Sequence, residues 1–127
     1  MPTQWRERYA DKVKTAAEAV RLVKPGHRVY IGSACGEPQE LVRALVAHGE
    51  NLADTEIVHI LTFGVAPYAQ PKYAQNFRAN AFFIGNSVRT AVNDARADYT
   101  PIFLSQVPAL FRSRRLAIDV ALITVSP

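Results

Sequence analysis

Residues Val29 to Pro38 read Val-Tyr-Ile-Gly-Ser-Ala-Cys-Gly-Glu-Pro, and this stretch restricts the fold more than any other. Three apolar, β-favouring residues run into two glycines that bracket Ser33, Ala34 and Cys35. A carboxylate and a proline follow, and an apolar-periodic stretch begins. The pattern is strand, tight loop, helix start. In open α/β sheets ligands sit where strands end and helices begin, so this loop is expected to form one wall of any site.

The rest of the chain repeats that alternation. Residues 4 to 23 carry helix signals, with Thr15 and Glu18 at capping-box spacing and Ala16, Ala19, Val20 and Val23 as the stripe. Lys24-Pro25-Gly26-His27 should end it, and Arg28 to Ile31 is the first strand. Pro38 suits a first-turn position, and Leu41, Val42, Leu45 and Val46 share one helical face up to a glycine cap at Gly49. The near-continuous apolar run within Thr55 to Thr62 suits a strand covered on both faces.

Phe63 to Tyr73 holds two prolines, a glycine and two tyrosines, the mark of a loop with fixed turns. Phe77 to Ile84 reads as a third strand and Val88 to Ala95 as a third helix capped by Asn86 or Ser87. Asp98 to Pro101 reads as a turn and Ile102 to Leu104 as a short fourth strand. A helix capped by Ser105 and a last strand, Ile118 to Val125, complete the order. Strands alternating with helices predict an α/β fold: an open, mostly parallel sheet with helices on both faces.

At 127 residues, 49% hydrophobic and 20% charged, the chain has the size and composition of a single globular domain, residues 1–127. No apolar run reaches the roughly 20 residues that cross a bilayer, and the N-terminus lacks the apolar core of a secretory signal, so no membrane partner and a cytoplasmic location are expected. The net charge of +4 comes from scattered basic residues, which argues against nucleic acid and fits an anionic small molecule. One cysteine excludes an internal disulfide and a Cys-rich zinc site, and the three histidines lack metal-site spacing, so no metal is expected. The chain stops on leaving a strand, where α/β proteins usually continue, which predicts a longer parent polypeptide.

Several residues are candidates for chemistry. Gly32 to Gly36 lacks the dinucleotide and P-loop spacings but offers glycines and amides at a helix start, which suits either an anion or a plain turn. Cys35 is a candidate thiolate with no histidine placed to serve it, and free cysteines are commonly packing residues. Glu37 either orients a ligand, accepts a proton or simply benefits from the helix dipole. Gly85, Asn86 and Arg89 form a second polar strand end, where Asn86 is either a ligand contact or a cap and Arg89 either pairs with an anion or is solvated. Tyr99, Thr100 and Ser105 form a third. Together these supply a cleft edge and no complete catalytic set.

Five stretches in order carry a resemblance: Lys24 to Pro38, Ile57 to Gly64, Phe77 to Arg89, Ala97 to Pro101 and Asp119 to Pro127. In them the sequence resembles the acetyl-CoA hydrolase/transferase family, which includes acetate and 4-hydroxybutyrate CoA-transferases, from about residue 10 onward. The resemblance implies a CoA-transferase-like fold of two similar halves facing across a cleft. It implies acyl-CoA and a small carboxylate as substrates, coenzyme A as substrate rather than cofactor, and nucleophilic catalysis by a glutamate through a glutamyl-CoA intermediate. That glutamate and an oxyanion-stabilising glycine-rich segment are expected in a C-terminal half beyond this chain, so no catalytic residue is assigned here and Glu37 is not its substitute. Ala34-Cys35-Gly36 departs slightly from the family order, which leaves the thiol without an implied role.

What the resemblance assigns to this chain is the substrate-facing wall: Gly32 and Ser33 after the first strand, and Gly85, Asn86 and Arg89 after the third. It also implies that the chain alone is inactive, and that a face meant for the other half drives association, as in a homo-oligomer. Two rival readings remain: a non-catalytic binding or assembly module of the same fold, and a Rossmann-like nucleotide-binding domain, which lacks its phosphate fingerprint.

Overall fold

A computed structural model describes residues 4–126. Five strands form one sheet: β1 (Arg28–Ile31), β2 (Thr55–His59), β3 (Phe77–Ala81), β4 (Asp98–Tyr99) and β5 (Val120–Leu122). Their order is β4-β3-β2-β1-β5 and every pairing is parallel, as the apolar runs predict. The helices are α1 (Gln4–Arg8), α2 (Ala16–Ala19), α3 (Gln39–Ala47), α4 (Asn86–Asn93) and α5 (Val107–Arg112), joined by short 3₁₀ turns.

Alternation along the strands divides the core. Val29 and Ile31 of β1, Ile57 of β2, Ala79 and Ala81 of β3 and Leu122 of β5 pack with Val42 and Leu45 of α3 and Val88 and Ala91 of α4. Tyr30, Val58 and Phe82 belong to a smaller cluster with Val107, Leu110 and Phe111 of α5. Helices therefore lie on both faces, with α5 packed in the smaller cluster.

A polar row fixes the strand register. Arg28 of β1 pairs with Glu56 of β2, its register partner, and the guanidinium also donates to the Ala117 carbonyl at 3.0 Å. The second oxygen of Glu56 accepts from Asn80 of β3 at 2.9 Å, and Asn80 in turn accepts from the Thr100 hydroxyl at 2.7 Å. A one-residue slip would break each of these bonds at once.

The departures from expectation have local causes. The helical stretch over residues 4–23 is two short helices, because Thr15 starts a fresh one: its hydroxyl accepts from the Glu18 amide at 3.2 Å while Glu18 accepts from the Thr15 amide at 2.9 Å. The fourth strand is Asp98–Tyr99 rather than Ile102 to Leu104. Arg78 of β3 clamps Asp98 through two bonds of 2.5 and 2.6 Å, which draws that segment onto the sheet, and residues Leu104–Gln106 form a 3₁₀ turn.

Pro38 sits at the position before the first turn of α3. Gly49 is needed for space rather than as a cap: a Cβ there would stand 2.9 Å from the buried Phe77 ring. Neither Asn86 nor Ser87 caps α4, whose cap residue is Gly85, and Ser105 lies one residue before the Gln106 cap of α5. No helix among the described residues is long and apolar enough to cross a membrane.

Candidate functional site

Because all strands are parallel, their carboxyl ends share one edge, and three loops meet there. The first runs from Gly32 to Pro38, the second from Ile60 to Tyr73, and the third from Phe82 into α4. Each is bonded to its neighbour through polar groups.

Ser33 joins the first loop to the second. Its hydroxyl accepts from the Ile60 amide at 3.2 Å and the Leu61 amide at 3.5 Å. The Ala34 amide donates to the Leu61 carbonyl at 2.8 Å, and Ala34 adopts a left-handed φ of 53° to do so. Gly32 continues the sheet by donating to Leu122 at 2.9 Å, and a Cβ there would lie 3.3 Å from the Gly36 carbonyl.

Glu37 joins the same loops from the other side. One carboxylate oxygen, Oε2, accepts from the Thr62 hydroxyl at 2.5 Å and the Gly64 amide at 3.1 Å. A Cβ on Gly64 would come within 2.7 Å of both carboxylate oxygens, so glycine is required for the bond to form. The carboxylate thus serves the second loop rather than the dipole of α3. The Gly64 carbonyl accepts from the Ser87 hydroxyl of α4, which joins the second loop to the third.

Beneath this edge lies a buried pair. His59 Nδ1 and the Tyr68 hydroxyl share a hydrogen bond of 3.3 Å, and both side chains are fully buried. Burial lowers the His59 pKa to about 4, so the imidazole is neutral at pH 7. Burial, then the nearby Glu37 charge, pushes the Tyr68 phenol above its ordinary range. The His59 Nε2 has no hydrogen-bond partner among the described residues.

Of the five expected site residues, the structure brings Gly85 and Asn86 to one cavity and leaves Gly32, Ser33 and Arg89 outside its lining. A cavity of about 270 Å³ is lined by Leu61, Thr62, Phe63, Gly85, Asn86 and Ser87. Gly85 is packed tightly here, since a Cβ at that position would stand only 3.1 Å from the Thr62 carbonyl. Asn86 is exposed at the cavity rim. Gly32 and Ser33 belong to the first loop, with Ser33 engaged by the second loop. Arg89 is one turn further along α4, exposed, and reaches back to the Ile84 carbonyl at 3.5 Å. Cys35 is exposed and His59 is buried, so no thiol–imidazole pair forms between them. Among the described residues no group of three or more His, Cys, Asp or Glu side chains is placed to hold a metal.

Sequence reasoning missed the roles of Glu37, Thr62, Gly64 and Ser87. All four lie in or beside stretches that carried the resemblance, but their pairing spans more than twenty positions of sequence.

A parallel open sheet with three bonded loops at its carboxyl edge defines an α/β domain. The description "Acetyl-CoA hydrolase/transferase N-terminal domain" matches residues 2–127, and the chain belongs to that family. It is 46% identical over 123 residues to a 4-hydroxybutyrate coenzyme A transferase of Clostridium kluyveri, covering 97% of this chain and 29% of that protein. It is 38% identical over 112 residues to a succinyl-CoA:acetate/propanoyl-CoA:succinate CoA transferase of Fasciola hepatica, covering 87% of this chain and 23% of the relative.

Among solved structures, RipA from Yersinia pestis superposes with a TM-score of 0.85 at 22% identity, over 98% of this chain and 31% of that one. A 4-hydroxybutyrate CoA-transferase from Porphyromonas gingivalis gives 0.73 at 30% identity, over 98% and 27%. The chain therefore spans less than a third of the length of each of these relatives.

Proposed function

We propose that the polypeptide carrying this chain exchanges CoA between an acyl-CoA thioester and a small carboxylate of the acetate or 4-hydroxybutyrate class. The observation that carries this reading is the 46% identity to a 4-hydroxybutyrate coenzyme A transferase along 97% of the chain. The chain is the N-terminal wall of the cleft, and the rest of the polypeptide faces it. Coenzyme A is substrate, and the reaction needs no further cofactor.

The chemistry runs on a glutamate outside this chain. Its carboxylate attacks the thioester carbonyl, which forms an acyl-glutamyl anhydride and releases CoA thiolate. The thiolate attacks the glutamyl carbonyl, which gives glutamyl-CoA and frees the first carboxylate. An acceptor carboxylate attacks that thioester and forms a new anhydride. The returning thiolate then takes the new acyl group and restores the glutamate. Water in place of the acceptor gives hydrolysis.

In this reading Gly32, Ser33, Gly85, Asn86 and Arg89 form the acyl and carboxylate side of the cleft. The Gly85–Asn86 rim meets the small molecule, Ser33 fixes the loop behind it, and Arg89 supplies positive charge beside it. The full-length protein assembles as a homo-oligomer. The exposed Phe63, Val65, Phe103 and Leu104 support a piece of a larger protein over a self-contained binding module, since such side chains are costly to leave in water.

The test is a transfer assay with the full-length polypeptide. Acetyl-CoA and 4-hydroxybutyrate should yield 4-hydroxybutyryl-CoA and acetate, and residues 1–127 alone should yield none. Failure of the full-length protein to move CoA to any small carboxylate would remove this reading in favour of the binding module.

A further inference from the structure

We propose that Glu37 is a positioning residue that holds the Thr62–Gly64 backbone in place as the carboxylate-facing part of the wall; this rests on the transfer reading above. Three observations converge on it. Two donors from the second loop, the Thr62 hydroxyl and the Gly64 amide, meet at one oxygen of Glu37. Gly64 has no room for a side chain because that carboxylate fills the space. The other side of the same peptide segment is held by Ser87, through the Gly64 carbonyl.

The flanking side chains show why a polar tie is needed. Phe63 is 68% exposed and Val65 is 85% exposed, so neither anchors the loop by burial. The loop is anchored by burial further on, at Ala66 and Tyr68, but the apolar residues on either side of Gly64 face outward and give this segment no hydrophobic reason to keep one conformation. The bonds from Glu37 and Ser87 supply it. The held segment borders both the cavity of about 270 Å³ on the Asn86 side and a smaller one of about 90 Å³ lined by Glu37, Val42, Arg43 and Val65. Its geometry therefore sets the shape of the wall on both sides.

Glu37 acts through this loop and takes no part in bond making. Both donors use a single oxygen, so an amide oxygen in the same place can accept both bonds. A shorter carboxylate cannot reach, and alanine removes the acceptor of the Thr62 hydroxyl and leaves the Gly64 amide only its bond to the Thr62 hydroxyl oxygen.

The experiment uses the full-length protein with Glu37→Gln, Glu37→Asp, Glu37→Ala, Gly64→Ala and the double variant Glu37→Ala/Gly64→Ala. Glu37→Ala and Glu37→Asp should each raise KM for the carboxylate acceptor by about tenfold, while Glu37→Gln stays within about threefold of the parent. Gly64→Ala should match Glu37→Ala, and the double variant should be no worse than either single one, because the two changes compete for one space. A merely structural role predicts instead an equal fall in kcat for every acceptor, a lower Tm and an unchanged KM.

If Glu37→Ala does not fold, the Asp and Gln variants carry the same contrast. An acceptor KM that is unmoved in Glu37→Asp, or a loss in Glu37→Gln as large as in Glu37→Asp, overturns the proposal while leaving CoA transfer intact. A parent protein that transfers no CoA overturns both readings together.

Discussion

Acidifying the protein from pH 7 to pH 4 should lower its unfolding free energy by about 3 kcal/mol through His59 alone. The imidazole is buried in the folded chain, which holds its pKa at about 4 against an ordinary 6.5. Between those values the unfolded chain binds a proton that the folded chain refuses, so stability falls as pH falls. The contribution is complete above about pH 6.5 and gone below about pH 4. The protonated ring carries an N–H on both nitrogens, and Nε2 has no acceptor among the described residues. Asp98, held below its ordinary pKa chiefly by its hydrogen bonds from Arg78, adds a separate loss only at still lower pH. Urea unfolding at pH 7.0 and at about pH 4.5 measures the effect, and His59→Gln should flatten the profile over that window. An unchanged slope in the variant assigns the pH dependence elsewhere.

The second large effect belongs to the thinly covered face of the sheet. Phe82→Ala should cost about 3–5 kcal/mol, because the ring is nearly fully buried at the centre of a small cluster and little around it can collapse into the gap. Its ring meets Phe111 of α5 at 6.1 Å between centroids. The loss should be local as well as global: amide exchange in Val107–Arg112 should accelerate more than in Gln39–Ala47, which packs on the opposite face. Equal acceleration in both helices would show that the two clusters melt as one unit.

The alternation of apolar strands and amphipathic helices is plain in the sequence, because the strands that build the centre of the sheet bury their residues on one face fully and on the other at least in part. Strand β4 is not. It is two residues long and owes its place to Arg78 gripping Asp98, a pairing that no local pattern announces. The long helical stretch at the start breaks in two for a reason the sequence does carry: a capping box at Thr15 is a start signal and therefore also marks a boundary. Reading the segment as continuous overlooks that.

The candidate site divides in the same way. Its segments are legible as strand ends, and Gly85 and Asn86 do line a cavity there. For Glu37 the helix dipole is a locally sufficient explanation, because the carboxylate stands just before a helix. Its partners lie at Thr62 and Gly64, and only the parallel sheet brings those loops side by side. Gly49 and Gly64 both look like turn residues. Each is instead the space that a distant side chain occupies, Phe77 in one case and Glu37 in the other. Close approach of this kind leaves no periodicity and no spacing to read.

The central claim is that this chain shapes the cleft and another part of the polypeptide supplies the nucleophile. Incubating the full-length protein with acyl-CoA, trapping the intermediate and mapping the CoA adduct by peptide mass spectrometry tests it most directly. The expected result is a CoA thioester on one glutamate outside residues 1–127, with no adduct on Glu37. An adduct on Glu37, or on any other residue of this chain, would contradict it.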